Sequence, residues 1–190
     1  MGRVGMLGGT FDPPHNAHLA MAETAMDELS LEKVLFLPAP DPPHKSVISS
    51  YETRVELVAR AIAGRAGFEL SRLEEQLPGP SFTVDLLKRY SELHEDDVFF
   101  IMGSDSLLEM GSWKRPGRIA ELATLVVFLR PGYDPILPAD RETSLIVIAE
   151  PQIDLSSSGI RSRIAAGDSV AGSLPEAVHK FILDNSLYSC

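Results

Sequence analysis

The sequence predicts an α/β protein, a doubly wound and mainly parallel sheet with helices on both faces. Two observations predict it. Short runs rich in Val, Leu, Ile and Phe alternate along the chain with amphipathic stretches of helical period, the pattern of βαβ units. The first apolar run passes through two glycines and straight into a helical stretch, the strand–turn–helix junction from which such units are built.

Strands are expected over 4–7, 33–37, 68–70, 98–102, 124–129 and 145–148, each a short apolar run set between turn residues. Helices are expected over 18–29, 52–63, 82–93, 117–122, 159–166 and 175–185, several opened by Ser, Thr or Pro and closed by Gly or Asn. In a right-handed doubly wound sheet a ligand lies over the carboxyl ends of the strands, where the strand order reverses. That directs attention to 8–18, 38–50 and 103–116, which follow the first, second and fourth strands, and to 156–161 after the last. The proline-containing stretches 38–43 and 131–138 read as loops inside a single domain spanning 1–190.

A chain of 190 residues is long enough to bury one substantial core. Its 17 Lys and Arg against 27 Asp and Glu give a formal charge of −10, which would repel a long phosphate backbone and argues against a nucleic-acid partner. A small polyanion can still be held by a few local cations. The one cysteine is Cys190, which leaves no internal disulfide and no cysteine-based zinc site. No apolar run is long enough to cross a bilayer or to act as a secretory segment, so the cytoplasm is the expected location. A homo-oligomer is compatible with the sequence.

The first junction reads Gly8-Gly9-Thr10-Phe11-Asp12-Pro13-Pro14-His15-Asn16-Ala17-His18. Two glycines remove Cβ atoms where backbone amides approach a polyphosphate, and a helix N-terminus adds partial positive charge. His15 and His18, three apart at the helix start, can project to one side and donate hydrogen bonds to phosphate oxygens, with Thr10 supplying a hydroxyl. A zinc site from this pair is disfavoured, since a helical pair normally stands four apart and no third ligand is nearby. No protein metal ligands are expected. Downstream, Asp154-Leu155-Ser156-Ser157-Ser158-Gly159-Ile160-Arg161 puts hydroxyls at a helix N-cap and a guanidinium in the first turn, which can clamp terminal phosphates. Alone, the parts of each segment read first as a turn, a capping pair or an exposed cap. Together they bracket one polyphosphate.

These segments resemble the paired signatures of the adenylyltransferase superfamily, GGTFDPxHxGH and ISSTxIR, in the right order. Within it the chain is similar to bacterial nicotinate mononucleotide adenylyltransferases over nearly its whole length. Pro42-Pro43-His44-Lys45 resembles their PPHK loop, Arg54 the Arg opening the second helix, and Ser81-Phe82-Thr83-Val84-Asp85 their (S/T)YTxDT segment. Gly103-Ser104-Asp105-Ser106-Leu107 with Trp113 resembles GxDxL…W, and Arg130-Pro131-Gly132 resembles RPG. The resemblance implies a Rossmann-like nucleotidylyltransferase fold, ATP and nicotinate mononucleotide as substrates, Mg²⁺, and deamido-NAD as product. Four positions depart from the pattern: Ala17 stands for Gly, Phe82 for Tyr, and Leu86 and Ser158 for Thr. A phosphopantetheine adenylyltransferase shares both signatures but not the PPHK or GxDxL…W elements. A non-catalytic nucleotide-binding regulator of the same fold is the alternative of a different class.

By that resemblance the catalytic set is His15, His18, Lys45 and Arg161. Gly8, Gly9, Thr10, Phe11, Gly103, Asp105, Ser156, Ser157 and Ser158 are expected with Arg161 around ATP. Asp12, His44, Lys45, Thr83 and Trp113 are expected around the acceptor, the indole stacking on the nicotinate ring and Thr83 near its carboxylate. The alternative readings are a core or hinge residue for Trp113 and a helix cap for Asp105; read without the resemblance, Lys45 is a solvated lysine.

Overall fold

The computed structural model describes residues 2–43, 46–129, 144–149, 151 and 153–189. Its centre is β1 (Arg3–Gly9), flanked by β2 (Lys33–Pro38) and β4 (Asp97–Gly103), with β3 (Phe68–Leu70) outside β2, and β5 (Thr124–Phe128) then β6 (Leu145–Ile148) outside β4. The order is β3-β2-β1-β4-β5-β6 and every pairing is parallel. The expected doubly wound sheet is present, and the order reverses between β1 and β4.

The side-chain period of two divides each central strand between two cores. Val4, Met6, Leu35, Leu37, Phe100, Met102, Leu125 and Val127 face one way; Leu7, Val34, Phe36, Phe99, Ile101, Val126 and Phe128 face the other. Because both faces are buried, these strands read as unbroken apolar runs, which is why they were legible. Helices α1 (Asn16–Glu28), α2 (Tyr51–Ile62), α6 (Ser157–Ala165) and α7 (Glu176–Asp184) cover the second face with Leu19, Leu57, Ile160 and Ile182. Helices α3 (Thr83–Leu93), α4 (Ser104–Glu109) and α5 (Pro116–Leu122) cover the first with Leu87, Leu107 and Ile119. Leu86, which departs from the family's threonine, is 1% exposed within that core, where an apolar side chain is accommodated.

Three boundaries differ from expectation by two residues, each for a hydrogen-bonding reason, and the rest by at most one. β1 runs on through Gly8 and Gly9, because Gly8 stands opposite Leu37 and Gly9 opposite Pro38. α1 starts at Asn16 and α6 at Ser157, two residues early in each case, which makes His15 and Ser156 the N-caps. The short helix α4 and two 3₁₀ turns, Leu73–Gln76 and Met110–Ser112, were not expected: six residues or fewer display too little of a helical period to register. His44, Lys45, Arg130-Pro131-Gly132 and the 131–138 stretch lie outside the described residues. Among the described residues no helix is long and apolar enough to cross a membrane.

Gly5 shows how tightly the central strand is packed. A Cβ built there would lie 2.9 Å from Leu31 Cδ1, 3.0 Å from Val34 Cγ2 and 3.1 Å from Ile101 Cδ1. Three apolar neighbours would have to retreat at once, so Gly5→Ala is expected to destabilise the fold by about 1–3 kcal/mol. Urea denaturation checks this: the midpoint should fall with an unchanged m-value.

Candidate active site

A cavity of about 770 Å³ opens over the carboxyl ends of the strands, where β1 and β4 lie side by side. Gly8 and Gly9 at the end of β1 line it, as does Gly103, which ends β4 and caps α4. A Cβ on Gly8 would meet only the Phe100 ring, at 3.7 Å, an ordinary contact. Packing within the protein therefore does not demand glycine at this position. Close approach of a ligand to the strand end is the remaining physical reason for it.

His15 and His18 both line the cavity. The His15 backbone N–H donates to His18 Nδ1 at 3.2 Å, and the two rings stack with centroids 3.8 Å apart. Since His18 Nδ1 is an acceptor here, the ring proton sits on Nε2, leaving a hydrogen-bond donor on the far side of the ring. Phe11 meets the His18 ring edge-on at 5.0 Å and fixes its plane from behind. The pair is thus held by the helix start itself and by one core aromatic.

The late segment closes on the same place. Ser156 Oγ accepts from the Gly159 backbone N–H at 3.1 Å, a regular N-cap, and Ser158 Oγ lies 3.3 Å from it. Ser157 Oγ donates to the Pro13 carbonyl at 2.9 Å, and Arg161 Nη1 donates to the Asp12 carbonyl at 2.7 Å. Two segments about 150 positions apart in sequence are therefore hydrogen-bonded to each other, and Ser156, Ser157, Ser158 and Arg161 line the cavity with Thr10, His15 and His18. Imidazoles on one flank, a guanidinium on the other and two helix N-termini suit the cavity to a compact polyanion.

Phe11 and Asp12, expected among the contacts, do not line the cavity. Phe11, 1% exposed, belongs to the core and lies edge-on to His18. Asp12 is wholly buried; its Oδ2 accepts from the Ile48 and Ser49 amides at 2.7 and 3.3 Å, and its Oδ1 accepts from the Tyr188 hydroxyl at 2.7 Å. Burial pushes the Asp12 carboxyl up, but the donors from Ile48, Tyr188 and Ser49 outweigh it and hold the group below its ordinary range. Motif spacing could not show this, because the partners of Asp12 lie 36, 37 and 176 positions away.

Arg54 holds the neighbouring loops. Buried to 1% exposure, it donates through Nη1 to the Thr10 and Ala39 carbonyls at 2.9 and 2.8 Å, and through Nη2 to the Pro40 carbonyl at 3.2 Å. Desolvation lowers its pKa, and the negative charges of Asp12 and Glu74 oppose that. The sequence marked Arg54 as the start of a helix and carried no sign that it would be buried.

Elsewhere on the cavity Thr83 begins α3 and Trp113 follows the second 3₁₀ turn; both line it, as do Asp105 and the wall residues Pro42, Pro43 and Ser46. Trp113 is half-buried and packs edge-on against Phe100 at 6.5 Å, so it is a core-anchored residue and a wall residue at once. Phe82 lies 4.4 Å beneath the Lys114 ammonium, which also pairs with Asp85 at 2.7 Å. The Asp41 and Ser81 residues bond reciprocally and tie the start of α3 to the β2–α2 connection. Among the described residues no group of three His, Cys, Asp or Glu side chains could hold a metal ion.

Glu74 is a further cavity residue that no motif announced. It lines the cavity at 8% exposure, and its Oε2 has no hydrogen-bond partner among the described residues. Burial raises its carboxyl to about 7, against the opposing effects of Ser81 and Arg54. A carboxyl that holds its proton longer when folded favours the fold fully below its unfolded pKa and loses that advantage as pH rises to about 7. Glu74→Gln should therefore gain stability relative to wild type between pH 4.5 and 8, on the order of 2 kcal/mol. Melting curves across that range check it: a Tm difference that stays constant with pH would remove the effect.

The residue pattern and fold place this chain among known proteins. The family model described as cytidylyltransferase-like matches residues 6–163. A probable nicotinate-nucleotide adenylyltransferase of Thermomicrobium roseum is 40% identical over 99% of this chain and 92% of its own length. One from Thermus thermophilus is 41% identical over 98% of this chain and 99% of its own length. Among solved structures, Plasmodium falciparum nicotinic acid mononucleotide adenylyltransferase complexed with APC superposes with a TM-score of 0.80 at 17% identity, covering 99% of this chain and 98% of that one. The same enzyme complexed with NaAD gives 0.78 at 20% identity, with the same coverage.

Proposed function

The chain belongs to the cytidylyltransferase-like family and to its nicotinate-nucleotide adenylyltransferases, and from that premise we propose that it transfers the adenylyl group of ATP to nicotinate mononucleotide, releasing pyrophosphate and giving deamido-NAD. The observation that carries this reading is the junction of the two candidate polyanion-binding segments: Arg161, bonded to the Asp12 carbonyl, lines the same cavity as His15 and His18.

The acceptor phosphate oxygen attacks the α-phosphorus in line, the new P–O bond forms as the bond to the β-phosphate oxygen breaks, and pyrophosphate leaves with the electron pair. The nucleophile is already anionic near neutral pH, so alignment and charge stabilisation are the protein's work. His18 Nε2–H donates to the α-phosphate oxygens as negative charge develops there. His15 and Thr10 hold the ATP phosphates, and Arg161 with the Ser156–Ser157–Ser158 turn receives the departing pyrophosphate. Gly8, Gly9 and Gly103 allow the nucleotide close to the strand ends, and Asp105, which lines the cavity, is assigned to a ribose hydroxyl. Lys45 and His44 fall between Pro43 and Ser46, both of which line the cavity, and are assigned to the incoming phosphate. Trp113 and Thr83 receive the nicotinate ring and its carboxylate. Mg²⁺, which the family resemblance implies, would enter with the triphosphate and would offset charge on the departing pyrophosphate; among the described residues no group of three His, Cys, Asp or Glu side chains could hold it separately. The cytoplasm is the proposed location.

Pyrophosphate release from ATP tests this against a panel of nicotinate mononucleotide, its amide and phosphopantetheine. Turnover is expected with a strong preference for the acid mononucleotide. Comparable kcat/KM for the amide would overturn the preference, turnover with phosphopantetheine alone would move the chain to that activity, and no turnover with any acceptor would make it a binding protein. His18→Ala is expected to keep a native circular dichroism spectrum and lose at least about 10²-fold in kcat. A near wild-type rate would remove His18 from its assignment.

A further inference from the structure

Tyr188 lies far from the cavity in sequence and does not line it, yet its hydroxyl occupies a junction of three segments. It donates to Asp12 Oδ1 at 2.7 Å and accepts from Ser49 Oγ at 3.0 Å. Asp12 Oδ2 in turn holds the Ile48 and Ser49 amides. The 48–49 arm belongs to the β2–α2 connection, whose Pro42, Pro43 and Ser46 form a wall of the cavity. Asp12 is also the residue whose main-chain carbonyl receives Arg161, and it stands three positions before His15.

We propose that Tyr188 is a positioning residue: its hydroxyl, acting through the Asp12 carboxylate, fixes the 48–49 arm against the loop leading into α1 and so sets the acceptor wall of the cavity. Packing alone does not account for the tyrosine. Leu187 and Tyr188 lean on the apolar core, which a phenylalanine would serve equally well, whereas the hydroxyl makes two polar contacts of good length. The backbone at Tyr188 is held at φ 63°, a left-handed conformation that bulky residues rarely adopt, which shows that the surrounding contacts determine its place. Without the hydroxyl, Asp12 Oδ1 would lose the Tyr188 donor while remaining in a fully buried site. The carboxylate would then reorient to recover a donor, and the Ile48 and Ser49 amides would lose their acceptor.

This inference rests on the activity proposed above, and its test separates the two. In Tyr188→Phe, backbone amides of Ile48 and Ser49 should exchange with deuterium about tenfold faster while amides of β1 and β4 keep their protection, a measurement that needs no substrate. In the same variant KM for the mononucleotide should rise about tenfold, with KM for ATP changing less, as loss of a hydrogen bond to a charged group implies. Because Tyr188 acts through Asp12, adding Tyr188→Phe to Asp12→Asn should cost little beyond Asp12→Asn alone. Exchange at Ile48 and Ser49 within twofold of wild type overturns the proposal. So does a lowered Tm with unchanged KM values, and so do losses that add fully in the double variant. If wild-type protein releases no pyrophosphate with nicotinate mononucleotide, the proposed activity fails and the exchange measurement still decides the role of Tyr188.

Discussion

The hydrogen bond from Arg161 to the Asp12 carbonyl joins a helix late in the chain to the turn that follows the first strand. The joining of the two motif segments around one cavity depends on it. β1 brings Gly8 and Gly9 to the place where strand order reverses, but a sheet edge and one helix start give a polyanion only one side to bind. The second side comes from α6, which reaches the first turn through Arg161 and through Ser157 on the Pro13 carbonyl. Each donor goes to a main-chain carbonyl, so the contact fixes backbone and leaves side chains of the first turn available to other partners. Asp12 uses that latitude: its carboxylate, buried and ionised, gathers donors from two further segments.

The histidine pair follows the same logic. His15 is the cap of α1 and supplies the backbone N–H that orients His18, while Phe11 supports the ring from the core side. Helix start, aromatic packing and ring orientation are therefore one arrangement, and the donor on His18 Nε2 is preorganised before any ligand arrives. A carboxylate or lysine at the same position would need its conformation fixed by separate contacts.

The sheet and most helices were legible because two-sided burial writes itself as apolar runs: Val34 to Leu37, Val98 to Met102 and Leu125 to Phe128 are continuous for that reason. The cavity residues His15, His18, Ser156 and Arg161 were legible as two dense motifs of uncommon chemistry. What escaped was whatever depended on partners far along the chain. Phe11 and Asp12 sit inside the first motif and look like contact residues, yet their side chains point into the packed interior, and only the positions of Tyr188 and Ile48 reveal why. Arg54 and Glu74 look like surface charges in sequence, yet both are buried, Arg54 beneath the Ala39 and Pro40 carbonyls of the β2–α2 connection. The short α4 escaped because six residues carry little periodicity, although Gly103 before it marked the strand end.

Arg161 and Tyr188 follow all six strands in chain order, and this bears on how the protein comes into being at the ribosome. Synthesis from the amino terminus delivers the described strands before it delivers Ile160, Val178 and Ile182, which complete the core on one face of the sheet. A nascent or clipped chain that ends before α6 therefore leaves that face partly bare, and burial of the face and placement of Arg161 are completed together.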